Sequence, residues 1–313
     1  MDQIKKSVSV IIPVFSSIKT LENLVLELIE YFHKSKKISN LGFELSKIVL
    51  VDDGSVDGST FIMKKLESND KVKSIYLNRN YGQHAAIFAG VLSTTEDVLI
   101  TMDEDGEHNP EIIENMIEKL ELENYDIVYA RFKHKKFDFR ETLSKQSKKF
   151  ISIIAKDENI NLITSYRAVR GSVFRSAAVY ANNGSFLDIA LSWISNRVST
   201  VETEKRDSYR DSTYTLSKLI NHFNKLFFAA GIRPLIFLFN IGWITSLGSL
   251  FAIGIIVYRK IFSDIEVQGW VSSITVILFI GGIMISAIGL VARYLSAIVE
   301  TSSGKPFFTI KNK

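Results

Sequence analysis

The sequence predicts an α/β fold: a mostly parallel sheet covered by helices on both faces, followed by a hairpin of two long apolar helices. Three observations predict it. Strand-type and helix-type segments alternate between residues 7 and 130. Two aspartate pairs, Asp52/Asp53 and Asp103/Asp105, fall where strands are expected to end. Two runs without a charged residue, Leu235–Tyr258 and Val271–Ala292, lie near the C-terminus.

The elements follow in order. Ser7–Val14 is β-branched and apolar, a buried strand. Thr20–His33 places Leu21, Leu24, Val25, Leu28, Ile29 and Phe32 at helical spacing. Lys47–Val51 is a second strand, Ser59–Leu66 a helix, Val72–Leu77 a strand and Gln83–Leu92 a helix. Val98–Met102 is a strand that runs into Asp103. Pro110–Leu122 is a helix with proline in its first turn, and Ile127–Ala130 is a further strand. Such a βαβ series builds a largely parallel sheet, whose ligands bind beyond the carboxyl ends of its strands. Both aspartate pairs sit at such ends.

Composition excludes several classes. The 313 residues contain no cysteine, which removes disulfides, thiolate-bound zinc and thiol nucleophiles. A hydrophobic share of 46% excludes disorder, and a charged share of 23% excludes a chain that is all membrane. The average hides two regimes. From Leu235 onward there are six basic and three acidic residues, whereas the first 234 residues hold 32 against 31. The larger part is nearly neutral, so no nucleic-acid partner is expected.

Each uncharged run is long enough to cross a hydrocarbon core, which takes about 20 helical residues. Buried helices of a globular core are the alternative. Gly281, Gly282 and Gly289 in the second run would let two helices approach closely. Lys218, Lys225 and Arg233 precede the first run; Arg293, Lys305, Lys311 and Lys313 follow the second. The positive-inside bias puts both ends on the cytoplasmic side, against the opposing Arg259 and Lys260 in the connecting loop. Leu216–Ile232 has an apolar face through Leu216, Leu219, Ile220, Phe223, Leu226 and Phe227, fitting an interfacial helix or a surface helix packed on the domain. The polar start, Met1–Lys6, is not expected to be a signal peptide.

No G-x-G-x-x-G follows a strand, and no G-x-x-x-x-G-K-[ST] occurs. A nucleotide bound here is therefore expected to be held by carboxylates and a metal. In an extended Asp103-Glu104-Asp105 segment the two aspartates point the same way. They could share one Mg²⁺ or Mn²⁺ with diphosphate oxygens. A solvated acidic turn ahead of the next helix is the alternative.

In combination, these segments resemble the family 2 glycosyltransferases of GT-A fold, in the branch that moves sugar onto polyprenyl phosphates. The matching pieces are SVIIPVF (9–15), VDDGSVDGS (51–59), LNRNYGQHAAIFAGV (77–91), DVLITMDEDGEHNPEII (97–113), DIVYARF (126–132) and RDSTYTLSKLI (210–220). The sequence departs from the family pattern at Ser16-Ser17, Glu107, Arg210 and Ala292-Arg293-Tyr294. The resemblance implies a GT-A domain over 1–215, a juxtamembrane helix over 216–233, two transmembrane helices within 234–293 and a cytoplasmic tail over 294–313. It also implies a bacterial inner-membrane enzyme whose catalytic domain faces the cytoplasm, and it allows a homo-oligomer.

Carried over by position, Pro13 and Phe15 would border the nucleobase of a UDP- or GDP-sugar, and Asp52 and Asp53 would contact base or ribose. Asn80 and Gly82 would shape the pocket floor. Asp103 and Glu104 would touch ribose and diphosphate, with Asp103 and Asp105 as metal ligands and Asp105 the principal one. Arg131 would face a phosphate, unless it is a plain surface arginine. Arg206, Arg210, Ser212 and Tyr214 are candidates for the acceptor headgroup, or else ordinary loop and helix-start residues. A polyprenyl phosphate is already an anion and needs positioning more than a base. A sugar hydroxyl on a lipid-linked glycan would need a base. Asp188 is the candidate for that role, against a helix N-terminal acid near Ser185. A non-catalytic sugar-nucleotide-binding membrane protein is the reading from another class.

Overall fold

The computed structural model describes residues 5–132, 162–180, 187–204, 206, 269–302 and 306–311, together with 251, 258 and 262. The fold is organised around β1 (Lys6–Val14), which is buried from Val8 to Val14. It runs parallel to β2 (Phe43–Asp52) on one side and to β4 (Val98–Thr101) on the other. A strand with parallel neighbours on both edges and helices on both faces meets no water, and so reads as one apolar run.

The helices on one face are α1 (Leu21–Lys34), α2 (Lys36–Asn40), α3 (Ser59–Leu66) and α5 (Ile112–Leu122). They cover Val10, Ile12, Val14, Ile48 and Leu50. The opposite face carries α4 (Gln83–Leu92), α6 (Gly171–Tyr180) and α7 (Leu187–Ile194) over Ile11, Val49, Val51 and Leu99. The split between even and odd positions of β1 is the period of two of a pleated strand. Helix α4 lies so close to the sheet that a Cβ on Gly90 would stand 2.6 Å from Ile11 Cγ2.

The remaining strands are β3 (Val72–Tyr76), β5 (Ile127–Phe132), β6 (Arg167–Arg170) and β7 (Val198–Thr203). Seven strands form one sheet in the order β3-β2-β1-β4-β6-β5-β7. The mostly parallel α/β sheet matches the expectation, with one addition. β6 is antiparallel to both β4 and β5. Its pairing sets Arg167 opposite Thr101 and brings Ser165, whose carbonyl accepts the Thr101 hydroxyl, to the carboxyl end of β4.

The second uncharged run lies inside α8 (Trp270–Ser302), a continuous helix of 33 residues. The first run and the 216–233 helix lie outside the described residues, as do Arg210, Ser212 and Tyr214. Among the described residues no helix is long and apolar enough to cross a membrane. Many α8 side chains are outside that set. Those inside it include exposed Ile277, Met284, Ile288, Leu295 and Ile298. Beyond α8, residues 306–311 return to the domain and meet the β3 edge through an antiparallel bridge, Leu77 to Ile310.

Candidate active site

The first acidic turn closes β2. Asp52 and Asp53 are both buried. Asp52 Oδ1 accepts the Ser55 N–H at 2.7 Å, and Oδ2 accepts the Thr60 hydroxyl at 2.6 Å. Asp53 Oδ1 accepts the Tyr81 N–H at 2.7 Å and Oδ2 accepts the Gly82 N–H at 2.8 Å. All four oxygens thus hold backbone and neighbouring side chains. Burial pushes the Asp53 carboxyl up; the two amides oppose it, the Asp52 charge adds to it, and the result lies above the usual range. Gly54 follows with φ +75°, and a Cβ there would meet Asn80 N at 2.9 Å. The 78–82 loop therefore lies directly on this turn, which brings exposed Asn80 and half-buried Gly82 together with Asp53.

The loop after β1 is fixed from outside itself. Four consecutive amides are each taken by a side chain of another segment. Phe15 and Ser16 donate to Glu104 Oε2 and Oε1 at 2.9 and 3.1 Å. Ser17 donates to Ser59 Oγ and Ile18 to Asp57 Oδ2, at 3.0 and 3.2 Å. Pro13 is buried inside β1 and Phe15 is exposed at the rim. The Glu104 carboxylate, expected on ribose or diphosphate, here clamps the loop that carries Phe15.

The second acidic turn closes β4. The extended segment expected over 103–105 is instead a turn. Gly106, with φ +77°, takes the backbone round it. Asp103 Oδ1 accepts from Gln83 Nε2 and Oδ2 from Ser165 Oγ, both at 2.6 Å. Its N–H donates to His108 Nδ1 at 3.1 Å. The His108 ring stacks on Tyr166 at 4.6 Å between centroids and on Phe132 at 5.7 Å. Asp105 differs. Its Oδ1 accepts the Glu107 N–H at 3.0 Å, and among the described residues Oδ2 has no partner. No cluster of three or more His, Asp or Glu side chains converges as a metal cage among the described residues. A hard cation at this turn would need phosphate oxygens and water to complete its shell, and Asp103 and Asp105 are the carboxylates that could hold it.

Asp188 and Arg131 lie further along the sheet. Asp188 is buried at the start of α7, where Oδ1 accepts from Tyr129 Oη at 2.8 Å and ion-pairs with Arg167. Arg167 is buried as well, and its Nε has no partner among the described atoms. Arg131 is exposed at the end of β5, opposite Glu202 of β7. Arg206 ion-pairs with Glu27 of α1 at 2.7 Å and donates to Asn109 Oδ1 at 3.0 Å. It braces the acidic turn from behind. Sequence reasoning missed Gln83 and Ser165, and placed His108 near the pocket without a role; all three contact Asp103. A polar residue opening α4 and a histidine five residues after an aspartate were the available signals.

A mostly parallel sheet with acidic turns at the carboxyl ends of β2 and β4, on either side of β1, fits a glycosyltransferase of GT-A type. The chain belongs to glycosyl transferase family 2, which matches residues 9–180. It is 31% identical to the undecaprenyl-phosphate 4-deoxy-4-formamido-L-arabinose transferase of Proteus mirabilis, over 97% of this chain and 93% of that one. The transferase of the same name from Yersinia enterocolitica is 30% identical, over 98% and 93%. Among solved structures, the mannosyl-3-phosphoglycerate synthase of Rubrobacter xylanophilus superposes with TM-score 0.56 at 13% identity, covering 73% of this chain and 74% of that one. The glucosyl-3-phosphoglycerate synthase of Mycobacterium tuberculosis, in complex with Mn²⁺ and UDP-glucose, gives TM-score 0.51 at 15% identity, covering 73% and 79%. At these identities the likeness establishes the fold.

Proposed function

We propose that this glycosyltransferase moves a sugar from a nucleotide-sugar donor, UDP- or GDP-linked, to a polyprenyl phosphate of the undecaprenyl type. One observation carries the reading: relatives named for transfer to undecaprenyl phosphate match over 97–98% of the chain, including its apolar C-terminal region. The acceptor phosphate oxygen attacks the anomeric carbon and forms the new C–O bond. The bond to the diphosphate breaks, and the nucleoside diphosphate leaves with the electron pair and with inversion. An acceptor that is already an anion needs no proton removed.

Asp105 and Asp103 would hold Mg²⁺ or Mn²⁺. The metal would supply Lewis-acid neutralisation of the departing diphosphate. The Mn²⁺ and UDP-glucose bound by the M. tuberculosis synthase, which shares the fold, support a divalent metal in the reaction. Gln83, Ser165 and His108 orient Asp103, Glu104 fixes the loop that carries Phe15, and Arg131 offers a cation to a phosphate. The engagement of Asp188 with Tyr129 and Arg167 speaks against a base and for the phosphate acceptor.

The same reading anchors the enzyme in the cytoplasmic membrane through Leu235–Tyr258 and Val271–Ala292, with the catalytic domain on the cytoplasmic side. The uncharged sequence of both runs, the 33-residue length of α8 and its exposed aliphatic side chains support it. The test is a transfer assay on the full chain in detergent, with radiolabelled UDP- and GDP-sugars, divalent metal and undecaprenyl phosphate. Label on undecaprenyl phosphate alone is the expected result. A strict requirement for an already glycosylated lipid would move the reaction to a hydroxyl acceptor.

A further inference from the structure

The segment after α8 ends against the loop that covers the first acidic turn. Phe307 packs on Phe88 of α4 at 5.5 Å between centroids, and both Phe307 and Phe308 join the apolar cluster on that face of the sheet. Thr309 and Lys311 extend the β3 edge. The Asn78 N–H donates to the Thr309 carbonyl at 3.0 Å and the Lys311 N–H to the Tyr76 carbonyl at 2.7 Å. The Thr309 hydroxyl then meets two side chains of one loop, Asn78 Nδ2 at 2.8 Å and Tyr81 Oη at 2.6 Å. A hydroxyl has one proton and two lone pairs, so it can serve both at once.

This loop is the one that seals the first acidic turn. The Tyr81 and Gly82 amides fill both oxygens of Asp53, and Arg79–Asn80 lie on Gly54. The guanidinium of Arg79 also covers the Tyr81 ring, 4.8 Å from its centroid. Tyr81 is therefore held at its backbone by Asp53 and at its hydroxyl by Thr309.

We propose that residues 306–311 form a latch in which Thr309 is a positioning residue for the donor: it fixes Tyr81, and with it the 78–82 loop over Asp53, so that the nucleotide pocket is complete only while the tail is docked. The inference rests on the donor reading given above. It also gives the apolar C-terminal region a direct link to donor binding, because the latch follows α8 after residues 303–305.

The experiment uses the full chain and its Thr309→Val and Thr309→Ser variants. Amide exchange of the peptide covering 78–82 is followed without nucleotide. Nucleotide binding is followed as thermal stabilisation by UDP or GDP with Mn²⁺, and sugar transfer is measured at varied donor. Valine keeps the shape and removes the hydroxyl, so exchange should rise about tenfold and donor KM about five- to tenfold, the span of one or two lost hydrogen bonds. kcat at saturating donor should hold, and serine should restore all three. Unchanged exchange and unchanged donor KM in Thr309→Val would overturn the latch. So would a fall in kcat and melting temperature that serine does not repair, since that marks tail packing alone. Faster exchange in a chain that binds neither nucleotide would instead overturn the donor reading, and the positioning role with it.

Discussion

The two acidic turns at the carboxyl ends of β2 and β4 look alike in sequence and do opposite work. At the β2 end, both aspartates are buried and every oxygen is occupied, Asp52 by Ser55 of the turn and Thr60 of α3, Asp53 by the 78–82 loop. At the β4 end, Asp103 is held by Gln83 and Ser165, while Asp105 keeps Oδ2 open. The difference lies in which amides and hydroxyls reach each turn. At β2 the 78–82 loop and α3 close in; at β4 the Gly106 turn carries Asp105 outward. One turn is tied down at every carboxylate oxygen, and the other leaves one oxygen without a contact among the described residues.

The sharpest way to break this comparison is Asp105→Ala. It should lower kcat by at least about 10³-fold while leaving the melting temperature unchanged, because no folded-state contact beyond the Glu107 amide is lost. Metal-dependent transfer that survives in that variant would move the ligand elsewhere. At the scaffold turn the order is reversed. Gly54→Ala places a side chain at positive φ against the Asn80 backbone and should cost about 2–3 kcal/mol of stability by chemical denaturation. Wild-type stability would show that the 78–82 loop yields freely.

A third buried carboxylate calibrates the pair. Asp126 is held by cations instead of amides: Arg197 Nη2 at 2.7 Å and Arg170 Nε at 3.3 Å. Burial pushes its carboxyl up, but Arg197, Ser195 and Arg170 outweigh that and hold it below the usual carboxylate range. A lowered pKa gives stability that is present above the unfolded value of about 3.9 and lost as pH falls through the folded one. Asp126→Asn should therefore cost about 1–2 kcal/mol at pH 7, and the gap to wild type should close as pH falls through the lowered folded value. A pH-independent gap would assign the cost to packing. The smallest effect is expected for Glu104→Gln. It keeps one acceptor for the Phe15 and Ser16 amides and loses the charge, so donor KM should rise about threefold with kcat held. A fall in kcat alone would return Glu104 to the diphosphate.

Much of the fold was legible because its signals are local. Continuous β-branched runs gave β1 and β4, and helical spacing gave α1 and α4 within a residue or so. β6 was not legible. Its four residues, Arg167–Arg170, carry an arginine at each end, and only pairing with β4 and β5 makes them a strand. At the site, residue type and strand ends pointed to the four aspartates, but not to their orientation. Asp52 and Asp53 turn inward because Thr60, Tyr81 and Gly82 come to them from elsewhere in the chain. Nor did the sequence reveal that the Phe15 and Ser16 amides, 89 and 88 positions earlier, reach the Glu104 carboxylate. The docking of 306–311 left a fainter trace, an apolar Phe307-Phe308 pair followed by Thr309-Ile310 in an otherwise polar ending.

Helix α8 and the bridge at Leu77 set a mechanical limit. Ser302 and Pro306 are four peptide units apart, a reach of about 14 Å at full extension. The 33-residue helix is about 50 Å long. Pivoted at its far end, such a rod moves its near end by that whole reach at a tilt of about 16°. A displacement of that end beyond what four peptide units can span must carry the β3 edge along or pull the Leu77–Ile310 pairing apart.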